Sequence, residues 1–180
     1  MPEFPYLKPG RTQIKNRNFL QPTQFLFTLT KTPKVSFYAN TSNIPSMNLG
    51  IADYRTPYKD IAEPGDKINF EDYNLRFLVD ENLENYLEIH NWIKGLGYPE
   101  SLEQIYDLQK SEGGIYSDGT LLVLNSNQRL NFQVKFYNMF PYNLTTLLFD
   151  STLTDTDPFT AEVKFKYTYY EITDNTGTVL

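Results

Sequence analysis

Carboxylates, a single histidine and many aromatic side chains are the groups through which this 180-residue chain could do chemistry. Acid pairs occur at Glu71-Asp72, at Asp80-Glu81 and at Asp155 with Asp157. Two carboxyl groups held about 5 to 10 Å apart can cleave a glycosidic bond. Neighbours on a strand point to opposite faces, so Glu71 and Asp72 do not share a site, and Asp80 is better used as a helix cap. His90 has no second histidine beside it and the chain has no cysteine, so nitrogen or sulfur metal sets and disulfides have no ligands. No serine lies in a G-x-S-x-G setting. Lys94-Gly95-Leu96-Gly97 has the wrong spacing for a phosphate loop and follows a helical pattern instead of opening one. The expectation is no catalytic residues, no metal site and no cofactor.

The fourteen Tyr and thirteen Phe remain. Aromatic rings bury large areas at low entropy cost, which suits a β core or an interface. A stacking surface for single-stranded nucleic acid would want basic neighbours, whereas the tyrosines between residues 58 and 116 sit among acids. Between Asp60 and Glu88, nine carboxylates face two basic residues.

The elements that must position these groups follow from periodicity. Phe25, Phe27 and Leu29 alternate with polar residues, and a turn at Thr32-Pro33 leads to Val35, Phe37 and Ala39, which predicts a hairpin. Met47 to Tyr54 reads as extended, followed by an excursion from Arg55 to Pro64 and a reversal at Pro64-Gly65-Asp66. Ile68 and Phe70, then Leu75, Phe77 and Val79, have the period of strands with one buried face. A helix over 82–95 follows, capped by Asp80 or Asn82, with Leu83, Tyr86, Leu87, Ile93 and Leu96 on its apolar side. A short helix fits Ser101 to Lys110. Strands resume at Leu121 to Leu124 and at Leu130 to Phe136, and one last long strand alternates from Ala161 to Tyr169. Several strands, one central helix and no β-α alternation define a mainly β protein, an antiparallel β-sandwich or barrel with one packed α-helix. The domain plan is an N-terminal arm over 1–20, the barrel domain over 21–174 and a C-terminal tail over 175–180.

Net charge is −6, unevenly spread: residues 1 to 59 carry eight basic and two acidic side chains, and residues 60 to 180 carry eight and twenty. Either the two parts occupy different surfaces and attract neighbouring copies head to tail, or they interleave within one fold. No apolar run approaches the roughly 20 residues that span a bilayer, and the first residues lack an apolar signal core, so a soluble chain without membrane contact is expected.

One order of motifs resembles a known family. Gln21 to Thr30 opens a first strand, and Ser42-Asn43-Ile44-Pro45 follows a second. Gly65-Asp66 and Phe70-Glu71-Asp72-Tyr73 come next, then a strand ending in Asp80-Glu81 and a helix carrying Trp92. Phe140-Pro141-Tyr142-Asn143 and Asp150 precede the final strand. This order, over roughly residues 18 to 172, resembles the tail tube proteins of contractile-tailed, T4-like bacteriophages. The resemblance implies a structural virion protein: homohexameric rings stacked head to tail, with tail sheath, baseplate and tail terminator proteins as partners. DNA would pass through the lumen without specific binding. Location would be the phage tail, with the host cytoplasm during assembly. Carried onto this chain, it places assembly contacts at Phe4, Tyr6, Phe19, Gly65, Asp66, Asp72 and Tyr73, and lumen acids at Asp53, Asp60 and Glu63. In that family a long hairpin at the place of Arg55 to Pro64 helps to join rings, and ring-to-ring contact is expected over Ser46 to Asp72. An acidic wall suits DNA passage, because phosphate is repelled from it. The N-terminal extension and the Tyr98 to Asp118 insertion leave room for a baseplate or terminator protein of the same fold. From the residues alone, the rival is a monomeric β-sandwich binding a ligand or carbohydrate through exposed Tyr and Trp92.

Overall fold

The computed structural model describes residues 19–20, 22–97, 101, 103–110, 114–152 and 157–180. Its elements, in chain order, are β1 (Phe25–Leu29), α1 (Pro33–Phe37), β2 (Ala39–Ser42), β3 (Met47–Arg55), β4 (Asp60–Phe70), β5 (Tyr73–Leu78), α2 (Glu84–Gly97), α3 (Glu103–Lys110), β6 (Ser117–Leu124), β7 (Leu130–Leu144), β8 (Thr160–Lys166) and β9 (Tyr169–Asp174). The fold is mainly β, and every strand pairing among the described residues is antiparallel.

The hydrogen-bonded path runs β1-β6-β7-β8-β5-β2, with β9 also on β7. The fifteen-residue β7 makes this arrangement. Its first half pairs with β6 on one edge and with β9 on the other, and beyond Asn138 its second edge passes to β8. Asn138 sits at φ 55°, a left-handed backbone that asparagine tolerates better than most residues, and it marks the bend. Two layers therefore share one strand, and their inner faces enclose the core.

That core follows the alternation legible in the sequence. Tyr73, Leu75 and Phe77 of β5 face Phe165, Val163 and Ala161 of β8 in register, and all six are buried. Phe27 and Leu29 of β1, Leu121 and Val123 of β6, and Val134 and Phe136 of β7 close the other side. The Tyr73 ring lies 4.6 Å from Phe136, 5.1 Å from Phe27 and 6.2 Å from Phe165.

Several expectations change. The segment after β1 is not a hairpin: Thr32-Pro33 opens the short helix α1, because proline at a first helical position gives up only an amide that lacks a partner there. β1 and β2 then join different neighbours, β6 and β5. Helix α2 runs two residues later than predicted and shows another face: Asn85, Ile89 and Trp92 are buried, whereas Leu87 is exposed. Its start is organised by Asn85, not Asp80 or Asn82. The Asn85 side chain donates to the Leu78 carbonyl at 2.7 Å and accepts from the Asp80 amide at 3.2 Å. The last strand is two, β8 and β9, broken at Tyr167-Thr168 opposite the bend in β7. The short second helix is present as α3, where Leu108 meets Gly95 of α2.

Candidate functional site: a mounted β-ribbon

Among the described residues β3 and β4 pair only with each other, standing apart from the seven-stranded sheet. At about 3.3 Å per residue, nine and eleven residues make a ribbon roughly 30 Å long. An isolated two-stranded ribbon is marginal in water. Its root half is also apolar on one side: register places Met47 opposite Phe70, Leu49 opposite Ile68 and Ile51 opposite Pro64. Met47, Leu49, Ile51 and Ile68 are exposed, by 50 to 73%. Covering such a side chain is worth about 1–2 kcal/mol each.

The predicted reversal at Pro64-Gly65-Asp66 does not occur. Those residues continue β4, and the turn lies at Thr56 to Lys59, where the Thr56 hydroxyl accepts from the Lys59 amide. Pro64 is tolerated because a two-stranded ribbon has free edges on which a missing amide costs nothing. Between Leu49 and Ile51 the register slips, and Gly65 backs onto Gly50 there.

The ribbon's root is where the motifs singled out in the sequence converge. Asn43 of Ser42-Asn43-Ile44-Pro45 accepts from the Asn74 amide at 2.7 Å and donates to the Asp72 carbonyl at 3.3 Å. Glu71 donates its amide to the Ser46 carbonyl at 3.1 Å, and Tyr170 gives its hydroxyl to the Pro45 carbonyl at 3.1 Å. Tyr167 donates to the Glu71 carbonyl at 2.8 Å. Phe70, the last residue of β4, packs edge-on to Tyr170 with centroids 5.6 Å apart and tilted to Tyr167 at 6.0 Å. Such pairs add about 0.5–1.5 kcal/mol each. The Asp72 carboxylate pairs with the Lys166 ammonium and accepts the Tyr142 hydroxyl. The hydrogen bond from Lys166, then that from Tyr142, holds the Asp72 carboxyl below the usual carboxylate range, and the same bond raises the Tyr142 phenol. The ribbon is thus tied to the barrel at its root.

The site residues named from the sequence divide accordingly. Gly65 and Asp66 lie in the ribbon and Asp72 at its root. Tyr73 is wholly buried, its hydroxyl 2.8 Å from Ser42 Oγ and its phenol raised by burial, so it acts from inside the core. Phe19 is almost fully exposed; Phe4 and Tyr6 lie outside the described residues. Of the lumen acids, Asp53 and Asp60 share a ribbon face, since their register partners are Ala62 and Arg55, whereas Glu63 pairs with Ala52 on the opposite face.

Sequence reasoning missed the mount: Tyr142 stands out only as part of the Phe140-Pro141-Tyr142-Asn143 motif, and Lys166, Tyr167 and Tyr170 only as members of one alternating last strand, and no local pattern brings them to Asp72, Glu71 or Pro45. Trp92 is not an exposed ligand platform. It is buried, donates its indole N–H to the Ile115 carbonyl at 3.0 Å and carries the Lys31 ammonium 5.1 Å above its ring. Among the described residues no group of three or more His, Cys, Asp or Glu side chains could hold a metal, and no helix is long and apolar enough to cross a membrane.

No protein-family model matches the chain, and no curated protein matches it. Solved structures do. The chain is similar to one in the cryo-EM structure of the anti-feeding prophage baseplate, with a TM-score of 0.58, 10% identity, and coverage of 83% of this chain and 91% of that one. It is similar to one in the sheath/tube terminator of the PVC extracellular contractile injection system, with a TM-score of 0.57, 15% identity, and coverage of 88% and 99%. A third likeness is to a chain of the PVC sheath-tube complex, with a TM-score of 0.53, 16% identity, and coverage of 93% and 99%. At these identities the likeness is one of fold: this chain has the tail-tube-like β fold found in contractile injection systems.

Proposed function

We propose that this chain is a structural, self-assembling subunit of a contractile injection apparatus, of the tail tube type resembling that of T4-like bacteriophages. Copies form hexameric rings that stack head to tail inside a sheath, between a baseplate and a terminator, and DNA passes through the lumen. The observation that carries the reading is the mounted ribbon: its apolar face is exposed in a single copy, while hydrogen bonds and aromatic packing at its root hold it ready. A lone ligand-binding monomer has no use for such an element, and the burial of Trp92 removes the indole that a carbohydrate site would need. β1 and β2, the ends of the sheet path, supply edges that pairing between copies in a ring would cover.

A second reading, a terminator or baseplate component of the same fold, is favoured by the likeness to chains of those two assemblies. Negative-stain microscopy of the purified chain separates the readings. A tube subunit gives six-fold annuli that extend into tubes, alone or on a cognate baseplate. A terminator or baseplate component gives rings that never extend. Monomers under every condition, with melting raised by a small ligand, would overturn both.

A further inference from the structure

Between the end of α2 and the second half of β7 lies an open apolar groove of about 350 Å³, lined by Ile93, Leu96, Tyr116, Phe140, Pro141 and Tyr142. A cavity of about 150 Å³ takes one benzene ring, so this space has room for about two aromatic side chains. The sequence supplies such a pair outside the described residues: Phe4-Pro5-Tyr6, in an arm that also has Pro2 and Pro9. Proline-rich segments with aromatic neighbours enter aromatic-lined grooves at low entropy cost, because their extended form is preset.

The topology says where the arm starts. The Gln24 carbonyl accepts from the Leu124 amide, so the chain enters the barrel beside the far end of β6. Ile115 and Tyr116, at the groove, immediately precede the near end of β6 at Ser117. Eight residues of strand, about 25 Å, separate the two. Phe19 is 93% exposed and Leu20 55%, so the chain has already left the body there. From Leu20 back to Tyr6, fourteen residues reach roughly 45–50 Å, enough to clear the body and arrive at another copy.

We propose that this groove receives Phe4 and Tyr6 from the arm of a second copy of the chain, an inference that rests on the self-assembling reading above. The arm's root and the groove lie at opposite ends of one subunit, so the contact is heterologous: each copy gives from one pole and receives at the other, and the series does not close as a dimer. Tyr142 lines the groove and also bonds Asp72 at the ribbon's root, which puts the seat of the arm next to the ribbon mount.

The absence of cysteine allows a direct test in the full chain. One preparation carries Glu3→Cys, which keeps both aromatic residues. The other carries Gly97→Cys, at the groove, where a Cβ meets nothing within 4 Å. After mixing and oxidation, the expected product is a disulfide-linked pair of different chains as the main species. Phe4→Ala with Tyr6→Ala in the Glu3→Cys chain should lower its yield at least tenfold. In a third preparation one chain carries both Glu3→Cys and Gly97→Cys; a bond formed only within single chains there would overturn the proposal, as would annuli or tubes without the linked pair. Annuli without the pair leave the ring reading intact and remove only the arm. Linked pairs without annuli support the groove and count against the ring.

Discussion

Gly65 and Gly50 lie back to back in the β3–β4 ribbon: a Cβ on Gly65 would come 2.6 Å from the Gly50 carbonyl oxygen and 2.8 Å from its carbonyl carbon. Backbone cannot yield as a flexible side chain can, so any residue larger than glycine forces the strands apart where the register already slips. A Cβ on Gly50 would meet only the Lys67 carbonyl oxygen, at an ordinary 3.5 Å. Gly65→Ala should therefore abolish ring or tube formation, and Gly50→Ala should not. Neither should move the melting temperature of the barrel by more than about 2 °C, the effect of roughly 0.5–1 kcal/mol in a domain of this size. Microscopy with circular-dichroism melts checks both.

The apolar ribbon face makes a separate prediction. Leu49 and Ile51 are 50% and 73% exposed in one copy, so Leu49→Glu with Ile51→Glu should change the stability of the dispersed chain by no more than about 1 kcal/mol. In an assembly that covers the face, the same pair of changes buries two charges and should leave the protein monomeric by sedimentation.

Trp92 should behave as a core residue. Trp92→Ala should cost about 3–5 kcal/mol in urea unfolding. Trp92→Phe should cost less, since it keeps most of the packing and gives up the bond to the Ile115 carbonyl and part of the contact with Lys31. As the chain's single tryptophan, it should emit in the blue when folded and shift to the red in the same transition that circular dichroism follows.

Acid should loosen the ribbon's root. The Asp72 carboxyl has its folded pKa below the ordinary value of about 4, because Lys166 and Tyr142 bond its charged form. A depressed acid contributes stability that is fully present above the unfolded pKa and is lost as pH falls through the folded one. The melting difference between wild type and Asp72→Asn should thus be constant above about pH 5 and shrink below about pH 4. A difference that grew on acidification would contradict the assignment.

How far the sequence could be read depended on which force shaped each segment. Where one strand face is buried by its neighbours, as at Tyr73 to Phe77 and Ala161 to Phe165, alternation revealed both strand and core. It failed where a strand turns a corner, because alternation continues from Phe165 through Tyr167 to Tyr169 although the pairing passes to a new strand. In α2 the apolar residues outnumber one face, so periodicity alone could not rank Ile89 and Trp92 above Leu83 and Leu87; the neighbours decided it. Pro64-Gly65 carries a local turn signal, but in a ribbon with free edges that signal has no consequence. The site was legible as motifs in order, not as contacts. That Asn43, Asp72 and Tyr142 meet at one root depends on pairings between segments up to 99 residues apart, about which no local pattern speaks.

Hydrogen exchange on the ribbon, in assembled and in dispersed protein, tests the central claim most directly. If β3 and β4 are elements shared between copies, amides from Leu49 to Asp53 and from Ala62 to Ile68, Pro64 excepted, should exchange fast in dispersed protein and at least tenfold more slowly once rings form, while the core amides of β5 and β8 stay protected in both. Ribbon amides that exchange equally fast in assembled and dispersed protein would contradict it.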